Sequence, residues 1–263
     1  MLSLNNPDTR EAVLLERLSS DGNLIASTLA DDLDISVHTI RRDLISLEQK
    51  GLVRRVRGGA VPITKRGPDY LVRAKEDRDA LAPIAARAAA LIPLDGTVYF
   101  DGGTTMDMVA KALPEAFDGL IVTPAPSVAL IAMGHGAKVR LIGGTLCSAG
   151  AIATGADAER IIQFIAADIC LLGACGLWSD FGLSAEEEAE AGVKRAMALA
   201  AAKVIVVTSD EKFHRKGHHR VLATDEIDAI VTDAPDALTM PFTEAEVEII
   251  HVYYNDGSGS AFS

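Results

Sequence analysis

A cluster of basic and hydroxyl side chains near the N-terminus has the spacing expected of a DNA-reading helix. His38, Arg41 and Arg42 lie at i, i+3 and i+4, and Ser36 and Thr39 sit at the N-terminal end of the same stretch. Arginine binds guanine O6 and N7 in bidentate fashion, and hydroxyl groups bond phosphates or base edges. The alternative is an ordinary solvated charged helix.

A basic strand-like run follows this stretch and ends in two glycines. Its residues predicted to face DNA are Arg54, Arg55, Arg57, Gly58 and Gly59. A basic hairpin beside a recognition helix is suited to phosphates or the minor groove. Together the helix and the hairpin favour DNA binding over a merely solvated surface.

A second group of residues is suited to binding an anion. The run consists of Asp101, Gly102, Gly103, Thr104 and Thr105. It follows an apolar strand-like segment and precedes a predicted helix. Glycines allow backbone N–H groups to approach a ligand closely, and a helix N-terminus favours an anion. A tight strand-to-helix turn with no ligand is the alternative.

Other polar residues follow the later strand-like segments. Thr123 ends the second segment, Gly173 ends the fourth, and Lys212 comes shortly after the fifth. The carboxyl ends of parallel strands share one edge of a sheet, where ligands bind in α/β proteins. We therefore expect these residues near the 101–105 turn, with Lys212 suited to neutralising a phosphate. Each is also compatible with an ordinary loop.

Short helices must position the first group. Asp8 or Thr9 is a predicted cap for the first helix, and Ser36 is the predicted N-cap of the third. Ile40, Leu44 and Leu47 fall at i, i+4 and i+7, so they form one buried stripe opposite the basic face. Gly51 is expected just past the helix end.

A parallel sheet must position the second group. Seven short apolar runs rich in β-branched residues alternate with helical stretches, as is typical of central strands in a largely parallel α/β sheet. The runs are Val98–Phe100, Leu120–Thr123, Val139–Ile142, Ile169–Leu172, Val204–Thr208, Ala229–Thr232 and Val247–Val252. The predicted organisation is a DNA-binding domain at 1–60, a linker at 61–69 and an α/β domain at 70–263.

Composition is compatible with these two domains. The chain has 263 residues, 49% of them hydrophobic, which excludes a mostly disordered protein. Net charge is −12, yet residues 1–66 hold 10 of the 25 basic and only 9 of the 37 acidic residues. The predicted DNA-binding part is thus nearly neutral and the remainder strongly acidic. We expect DNA binding to rest on a few arginines and to weaken with salt.

Targeting and cofactor signals are not apparent in the sequence. The N-terminus does not resemble a signal peptide, and apolar runs are too short for a membrane span. Three cysteines without C-x-x-C spacing predict neither disulfides nor structural zinc, so we expect a cytoplasmic protein. His214, His218 and His219 have helical spacing, but the positively charged side chains next to them disfavour binding of a metal cation. We expect neither a cofactor nor a metal.

The sequence closely resembles the DeoR family of bacterial transcription regulators. The resemblance is carried by residues 36–44, 47–48, 51–54 and 57–60. It implies a winged helix-turn-helix with Thr39, Arg41 and Arg42 on the DNA face and a wing shaped by Gly58-Gly59.

The resemblance continues through most of the chain, at residues 101–105, 142–144, 154–155, 182–183, 190–197 and 212–213. It implies a sensor domain similar to ribose-5-phosphate isomerase, with a phosphorylated sugar or polyol as effector. Carried over by motif, the effector-site candidates are Asp101, Gly103, Thr104, Thr105, Glu190 and Lys212. The sequence departs from the family pattern at Pro124, where Asn is usual, and at Leu81, where Lys is common.

The rival interpretation is a sugar-phosphate isomerase or transferase carrying a DNA-binding domain. Isomerisation needs a carboxylate base near the substrate carbon. The stretch that corresponds to the acidic motif of the isomerase, 172–176, reads Leu-Gly-Ala-Cys-Gly and lacks its acids. Cys175 is interpreted as a small buried residue. The sequence therefore predicts no enzyme but a regulator, most simply a repressor of a carbohydrate or polyol operon, binding double-stranded operator DNA as a homodimer or homotetramer.

Overall fold

The computed structural model describes residues 6–21, 23–62, 67–76 and 79–252. The chain divides into two compact units, Met1–Lys65 and Arg66–Ser263. The predicted linker began at 61, but Val61 and Pro62 belong to a strand of the first unit. Their backbone pairs with the preceding strand, so the first unit extends beyond the expected boundary at residue 60.

The first unit is a three-helix domain with a small antiparallel sheet. Its elements are α1 (Pro7–Asp21), β1 (Leu24–Ile25), α2 (Ala26–Asp32), α3 (Val37–Gln49), β2 (Val53–Val56) and β3 (Gly59–Pro62). The sheet order is β1-β3-β2. This is the predicted winged helix-turn-helix, in which β2 and β3 form the wing.

The predicted stripe on α3 builds the core of this unit. Ile40, Leu44 and Leu47 are fully or almost fully buried and pack with Leu14 of α1. The predicted cap of α1 was wrong by two residues. The helix begins at Pro7, and the side-chain oxygen of Asn6 accepts a hydrogen bond from the Asp8 N–H.

Gly59 has a packing role that the sequence did not reveal. A Cβ atom at this position would lie 1.6 Å from the Leu24 carbonyl oxygen, because β1 pairs closely with β3. Gly58, at the hairpin turn, has a φ of +92°. Only glycine adopts such a φ without strain. Gly58 therefore shapes the turn, whereas Gly59 is buried and lets the wing pack on the domain.

The second unit is an α/β domain. Its helices are α4 (Tyr70–Arg73), α5 (Ala82–Ala89), α6 (Thr104–Lys111), α7 (Pro126–Gly134), α8 (Ala156–Ile162), α9 (Glu188–Leu199) and α10 (Asp236–Glu244). Its strands are β4 (Thr97–Phe100), β5 (Leu120–Thr123), β6 (Lys138–Leu141), β7 (Thr145–Cys147), β8 (Ile152–Thr154), β9 (Ala167–Gly173), β10 (Gly176–Trp178), β11 (Gly182–Ala185), β12 (Ala201–Val207), β13 (His219–Leu222), β14 (Ala229–Thr232) and β15 (Glu248–His251).

All seven predicted strands belong to one sheet. Its order is β15-β14-β12-β9-β4-β5-β6, and every neighbouring pair is parallel. Central strands such as β4 and β9 are largely buried, because helices cover both faces. The prediction of a largely parallel α/β domain is confirmed.

The order of the strands places a switch point beside β4. The chain builds β4, β5 and β6 outward in one direction, then returns to place β9 on the other side of β4. The loops after β4 and β9 therefore leave in opposite directions and open a crevice at the carboxyl edge. Asp101 and Gly173 lie at this point.

Two smaller sheets were not predicted. β7 and β8 form an antiparallel hairpin, and β10, β11 and β13 form a three-stranded sheet. The Ala153 N–H donates to the Pro124 carbonyl oxygen, which fixes the β7–β8 hairpin at the end of β5. Within the part of the chain that the structure describes, no helix is long and apolar enough to cross a membrane.

Candidate DNA interface and effector site

The recognition helix α3 presents the predicted basic face to solvent. The Ser36 Oγ atom accepts a hydrogen bond from the Thr39 N–H at 3.1 Å and lies 2.9 Å from Thr39 Oγ1. Ser36 is thus the N-cap, as predicted. His38, Arg41 and Arg42 are all exposed. The helix N-terminus and these side chains together form a surface suited to a DNA groove.

A buried ion pair fixes this helix against α1. Arg10 Nε lies 2.7 Å from Asp43 Oδ2, and Arg10 Nη2 lies 2.9 Å from Asp43 Oδ1. The side chains are only 9% and 4% exposed. Glu11 also bonds α3 through Ser46 Oγ at 2.7 Å and pairs with Lys50. The Lys50 and Ser46 hydrogen bonds lower the pKa of Glu11.

The wing carries exposed arginines, as predicted. The Arg55 N–H donates to Glu48 Oε1 at 2.9 Å, and its guanidinium lies 3.7 Å from Glu48 Oε2, so Arg55 is oriented by the end of α3. Arg54 and Arg57 are exposed on β2 and at the turn after it. Three positive charges therefore lie on the hairpin that follows α3.

Three of the effector-site candidates, Asp101, Gly173 and Glu190, meet at a buried cluster of ionisable groups. Lys194 Nζ lies 2.8 Å from Asp101 Oδ2 and 3.1 Å from Glu190 Oε1, and it donates to the Gly173 carbonyl oxygen at 3.1 Å. None of the three charged side chains is more than 4% exposed. Two loops and α9 meet here, at the switch point.

Burial and neighbouring charges act in opposite directions on the pKa values of Lys194 and Asp101. Burial lowers the pKa of Lys194, but Asp101 and Glu190 outweigh it and raise that pKa well above its ordinary value. Burial raises the pKa of Asp101, and Lys194 opposes that rise. The ammonium group of Lys194 is therefore stabilised by the two acidic side chains that contact it.

The 101–105 turn is built around its glycines. The Asp101 N–H donates to Leu171, and Asp101 Oδ2 accepts from the Gly173 N–H at 3.0 Å, so the turn is bound to β9. A Cβ atom on Gly102 would lie 2.7 Å from the Gly150 carbonyl oxygen. Gly103 has a φ of +100° and precedes α6. The predicted strand-to-helix turn is therefore present at the switch point, with Thr104 and Thr105 in the first turn of α6.

A short helix that was not assigned to the site lies against it. The Tyr70 hydroxyl donates to Asp107 Oδ2 at 2.7 Å, and the Tyr70 N–H donates to Ser148. Arg73 Nη2 donates to the Ala149 carbonyl oxygen at 2.9 Å, and a Cβ atom on Gly103 would lie 3.9 Å from the same nitrogen. The guanidinium of Arg73 therefore lies beside the N-terminus of α6.

The structure brings together Asp101, Gly173 and Glu190 but places two other candidates differently. Thr123 is buried, and its Oγ1 accepts the Ala125 N–H at 3.0 Å, which helps to begin α7. Lys212 pairs with its neighbour Glu211 at 2.8 Å. The roles of Thr123 and Lys212 in effector binding stay predictions.

Two residues at the site were missed. Lys194 lies four positions after Glu190, a spacing that puts both on one helix face and was a usable signal. Arg73 gave no such signal, because only the fold carries α4 to the sheet edge.

The cysteine near the site is not a nucleophile. Burial raises the pKa of Cys175 to about 11, so it stays a thiol at neutral pH. Its Sγ atom lies 3.8 Å from Glu190 Oε1, and Cys147 Sγ lies 3.9 Å from Glu190 Oε2. Both thiols act as weak donors to one carboxylate. Cys175 was interpreted as a small buried residue, but it is only partly buried.

The basic segment near residue 216 is bound by its neighbours. His218 Nδ1 lies 3.0 Å from Glu186 Oε2, and the Lys216 ammonium lies 3.9 Å from the centre of the Phe181 ring. Among the described residues, no group of three or more His, Cys, Asp or Glu side chains is arranged to hold a metal ion.

A winged helix-turn-helix with an exposed basic face, followed by an α/β domain with a polar site at its switch point, defines a ligand-sensing DNA-binding regulator. The family comparison agrees. Residues 10–66 match the family model of the DeoR-like helix-turn-helix domain, and residues 77–234 match that of the DeoR C terminal sensor domain. The chain belongs to the DeoR family of transcriptional regulators.

Relatives similar over nearly their whole length carry regulatory names. The chain is 36% identical over 230 residues to the HTH-type transcriptional regulator GlpR of Haloferax volcanii, covering 86% of this chain and 90% of the relative. It is 30% identical over 230 residues to the glycerol-3-phosphate regulon repressor of Escherichia coli K12, an alignment that covers 86% of this chain and 91% of that repressor. The chain is therefore a transcriptional regulator and not an enzyme.

Solved structures show more distant likeness. The full-length sorbitol operon regulator SorC of Klebsiella pneumoniae aligns with a TM-score of 0.39 at 15% identity, covering 89% of this chain and 99% of that one. A D-ribose-5-phosphate isomerase aligns with a TM-score of 0.39 at 19% identity, and the alignment covers 52% of this chain and 55% of the isomerase chain.

Proposed function

We propose that this protein represses a carbohydrate or polyol catabolic operon and that a phosphorylated sugar or polyol controls its affinity for operator DNA. The names of its relatives support this class of effector, since one is a glycerol-3-phosphate regulon repressor and another a putative aga operon transcriptional repressor. In this proposal the protein acts in the cytoplasm as a homodimer or homotetramer, because helix-turn-helix proteins usually present paired recognition helices.

The observation that carries the proposal is an unsatisfied carboxylate oxygen at the switch point. Asp101 Oδ1 is buried and has no hydrogen-bond partner among the described residues. A buried charged acceptor without a partner is costly. A ligand hydroxyl would satisfy it, as sugars and polyols carry several such donors.

The charges around the site divide it into two ends. The cluster of Asp101, Glu190 and Lys194 presents carboxyl oxygens, among them the unsatisfied Asp101 Oδ1, so it favours hydroxyl donors. The Gly102–Thr105 turn offers backbone N–H groups at the N-terminus of α6, and a helix N-terminus attracts an anion. A molecule with hydroxyls at one end and a phosphate at the other matches both ends.

The test is operator binding with and without ligand. Fluorescence anisotropy of the purified protein on DNA from upstream of its own gene, at fixed near-physiological salt, gives the affinity alone and with a panel of sugar and polyol phosphates. We expect one phosphate to change DNA affinity several-fold, and the unphosphorylated compound to have no such effect. A panel without effect on specific DNA binding would contradict the proposed effector class.

Asp101→Asn tests the location of the site. It conserves side-chain volume and removes the carboxylate, so DNA binding should persist while the response to the phosphate disappears. Thermal unfolding of the variant checks that the sensor domain stays folded. A normal response in a folded variant would show that the effector binds elsewhere.

A further inference from the structure

The segment that joins the two units lies directly on the candidate effector site. We name residues 67–76 the connecting segment and residues 148–151, between β7 and β8, the covering loop. Tyr70 and Arg73 of the connecting segment donate to Ser148 and Ala149 of the covering loop. The two stretches are therefore held together by hydrogen bonds.

The covering loop in turn closes the site. A Cβ atom on Gly150 would lie 3.1 Å from Glu190 Oε1, and the Gly150 carbonyl oxygen lies close to Gly102. The loop thus contacts both the charged cluster and the 101–105 turn. A ligand bound at this place would contact the covering loop, whose carbonyl groups accept the hydrogen bonds of Tyr70 and Arg73.

Arg73 places a positive charge where an anion is favoured. Its guanidinium lies beside Gly103, at the N-terminus of α6, so two positive features face one position. Two buried carboxylate oxygens in this region, Asp101 Oδ1 and Asp107 Oδ1, have no hydrogen-bond partner among the described residues. Positive charge and unsatisfied acceptors within one region point to a polar ligand.

We propose that Arg73 binds the anionic group of the effector and that the connecting segment relays effector binding to the DNA-binding unit. This inference rests on the proposed function, since it assigns the phosphate end of the same site. The segment is suited to a relay because α4 has no buried residue, so its movement would not open a hydrophobic core. A ligand that changes the contacts between the segment and the covering loop shifts the balance between two positions of the segment. In the sequence the segment begins two residues after Lys65, the last residue of the first unit.

The experiment measures ligand affinity and DNA response in the full-length protein. Calorimetric titration with glycerol 3-phosphate, fructose 6-phosphate and inorganic phosphate is carried out on the wild type, Arg73→Gln and Lys75→Gln. Lys75 is exposed on the same segment, so Lys75→Gln is a matched control for charge. For whichever phosphorylated compound binds the wild type, Arg73→Gln should bind it about ten-fold to hundred-fold more weakly. The ligand affinity of Lys75→Gln should stay within about two-fold of the wild-type value. The DNA affinity of both variants without ligand should also stay within about two-fold.

Tyr70→Phe separates relay from binding. It removes the hydrogen bond to Asp107 and leaves Arg73 in place, so ligand affinity should stay within a few-fold. The change in DNA affinity at saturating ligand should shrink. The relay would be overturned if saturating ligand changed the DNA affinity of both Tyr70→Phe and Arg73→Gln as much as it changes that of the wild type.

The outcomes distinguish this inference from the proposed function. Equal ligand affinity in the wild type and Arg73→Gln would overturn the role of Arg73 and leave the effector class intact. Failure of the wild type to bind either organic phosphate, or any other phosphorylated compound of the panel, would overturn the proposed function and this inference with it.

Discussion

Asp43→Ala is expected to unfold the DNA-binding unit selectively. Asp43 lies on α3 beside the exposed Arg42, but its carboxylate points inward and takes two hydrogen bonds from Arg10 at 2.7 and 2.9 Å. Removing it leaves a buried guanidinium without this carboxylate. The orientation of the recognition helix against α1 depends on the same pair.

The magnitude follows from burial. Breaking a buried, doubly hydrogen-bonded ion pair by removing one partner costs about 3–5 kcal/mol. A unit of the size of Met1–Lys65 has a total stability of about 3–10 kcal/mol. The substitution therefore removes a large part of the stability of this unit. For a small domain such a loss lowers the melting temperature by about 12 °C or more.

Differential scanning calorimetry of the full-length protein, together with operator binding, provides the assay. The transition of the DNA-binding unit should move to lower temperature while that of the sensor unit stays in place. Asp32→Ala is the control, because the Arg17–Asp32 pair is 3.3 Å apart with side chains about two-fifths exposed. It should cost less than about 1 kcal/mol. The double replacement Arg10→Met with Asp43→Leu should recover most of the loss. Equal losses in the two aspartate variants would refute the reasoning.

Three further outcomes follow from the same unit. Arg42→Ala should weaken operator binding by about 1–3 kcal/mol, and it should weaken binding to random-sequence DNA far less. Fluorescence anisotropy measures both affinities. Equal losses on the two DNAs would show that Arg42 contacts only a phosphate. The pKa of Glu11 is lowered in the folded protein, so its stabilisation is present above the unfolded pKa of about 4.3 and lost as the pH falls through the lower folded value. In Glu11→Gln the free energy of unfolding should therefore fall less steeply as the pH is lowered. An unchanged pH dependence would show that other groups cause the loss of stability in acid. Gly59→Ala should destabilise the unit by about 3 kcal/mol or more in denaturant titrations, because the new methyl overlaps backbone. Gly67→Ala, in open space, serves as its control and should be nearly silent.

The main elements could be predicted because their signals are local. The stripe on α3 and the hydroxyl before it are fixed by spacing within one helix. Five of the seven strands of the large sheet are short, mostly buried apolar runs, whereas the edge strands β6 and β15 are more exposed. The bounds of the seven strands in the structure agree with the prediction to within about two or three residues.

The rest depends on contacts between distant parts of the chain. β7, β8 and β10 are three-residue strands, too short for a period of two to be visible. Lys194 reaches Asp101 only because α9 returns to the end of β4, and Arg73 reaches Gly103 only because α4 lies on the covering loop. Gly59 looked like a second turn glycine, but its hydrogen atom faces a carbonyl group of β1. The spacing of residues in the sequence does not show such close contacts between distant parts of the chain.

The central position of β4 has a consequence for the protein as it leaves the ribosome. The hydrogen bond from Gly173 to Asp101 spans 72 positions, and Lys194 is synthesised later still. The first unit, by contrast, is complete in sequence at Lys65. At a synthesis rate of about 5–20 residues per second, roughly 10 s separates the two events.

During that interval the nascent chain carries the recognition helix but not yet Lys194. Translation that stops between these points yields a fragment with Arg42 and without Lys194. Under the proposed function, such a fragment would keep the residues that face DNA and lack the effector site. Complete synthesis would then be a condition for regulation by the effector.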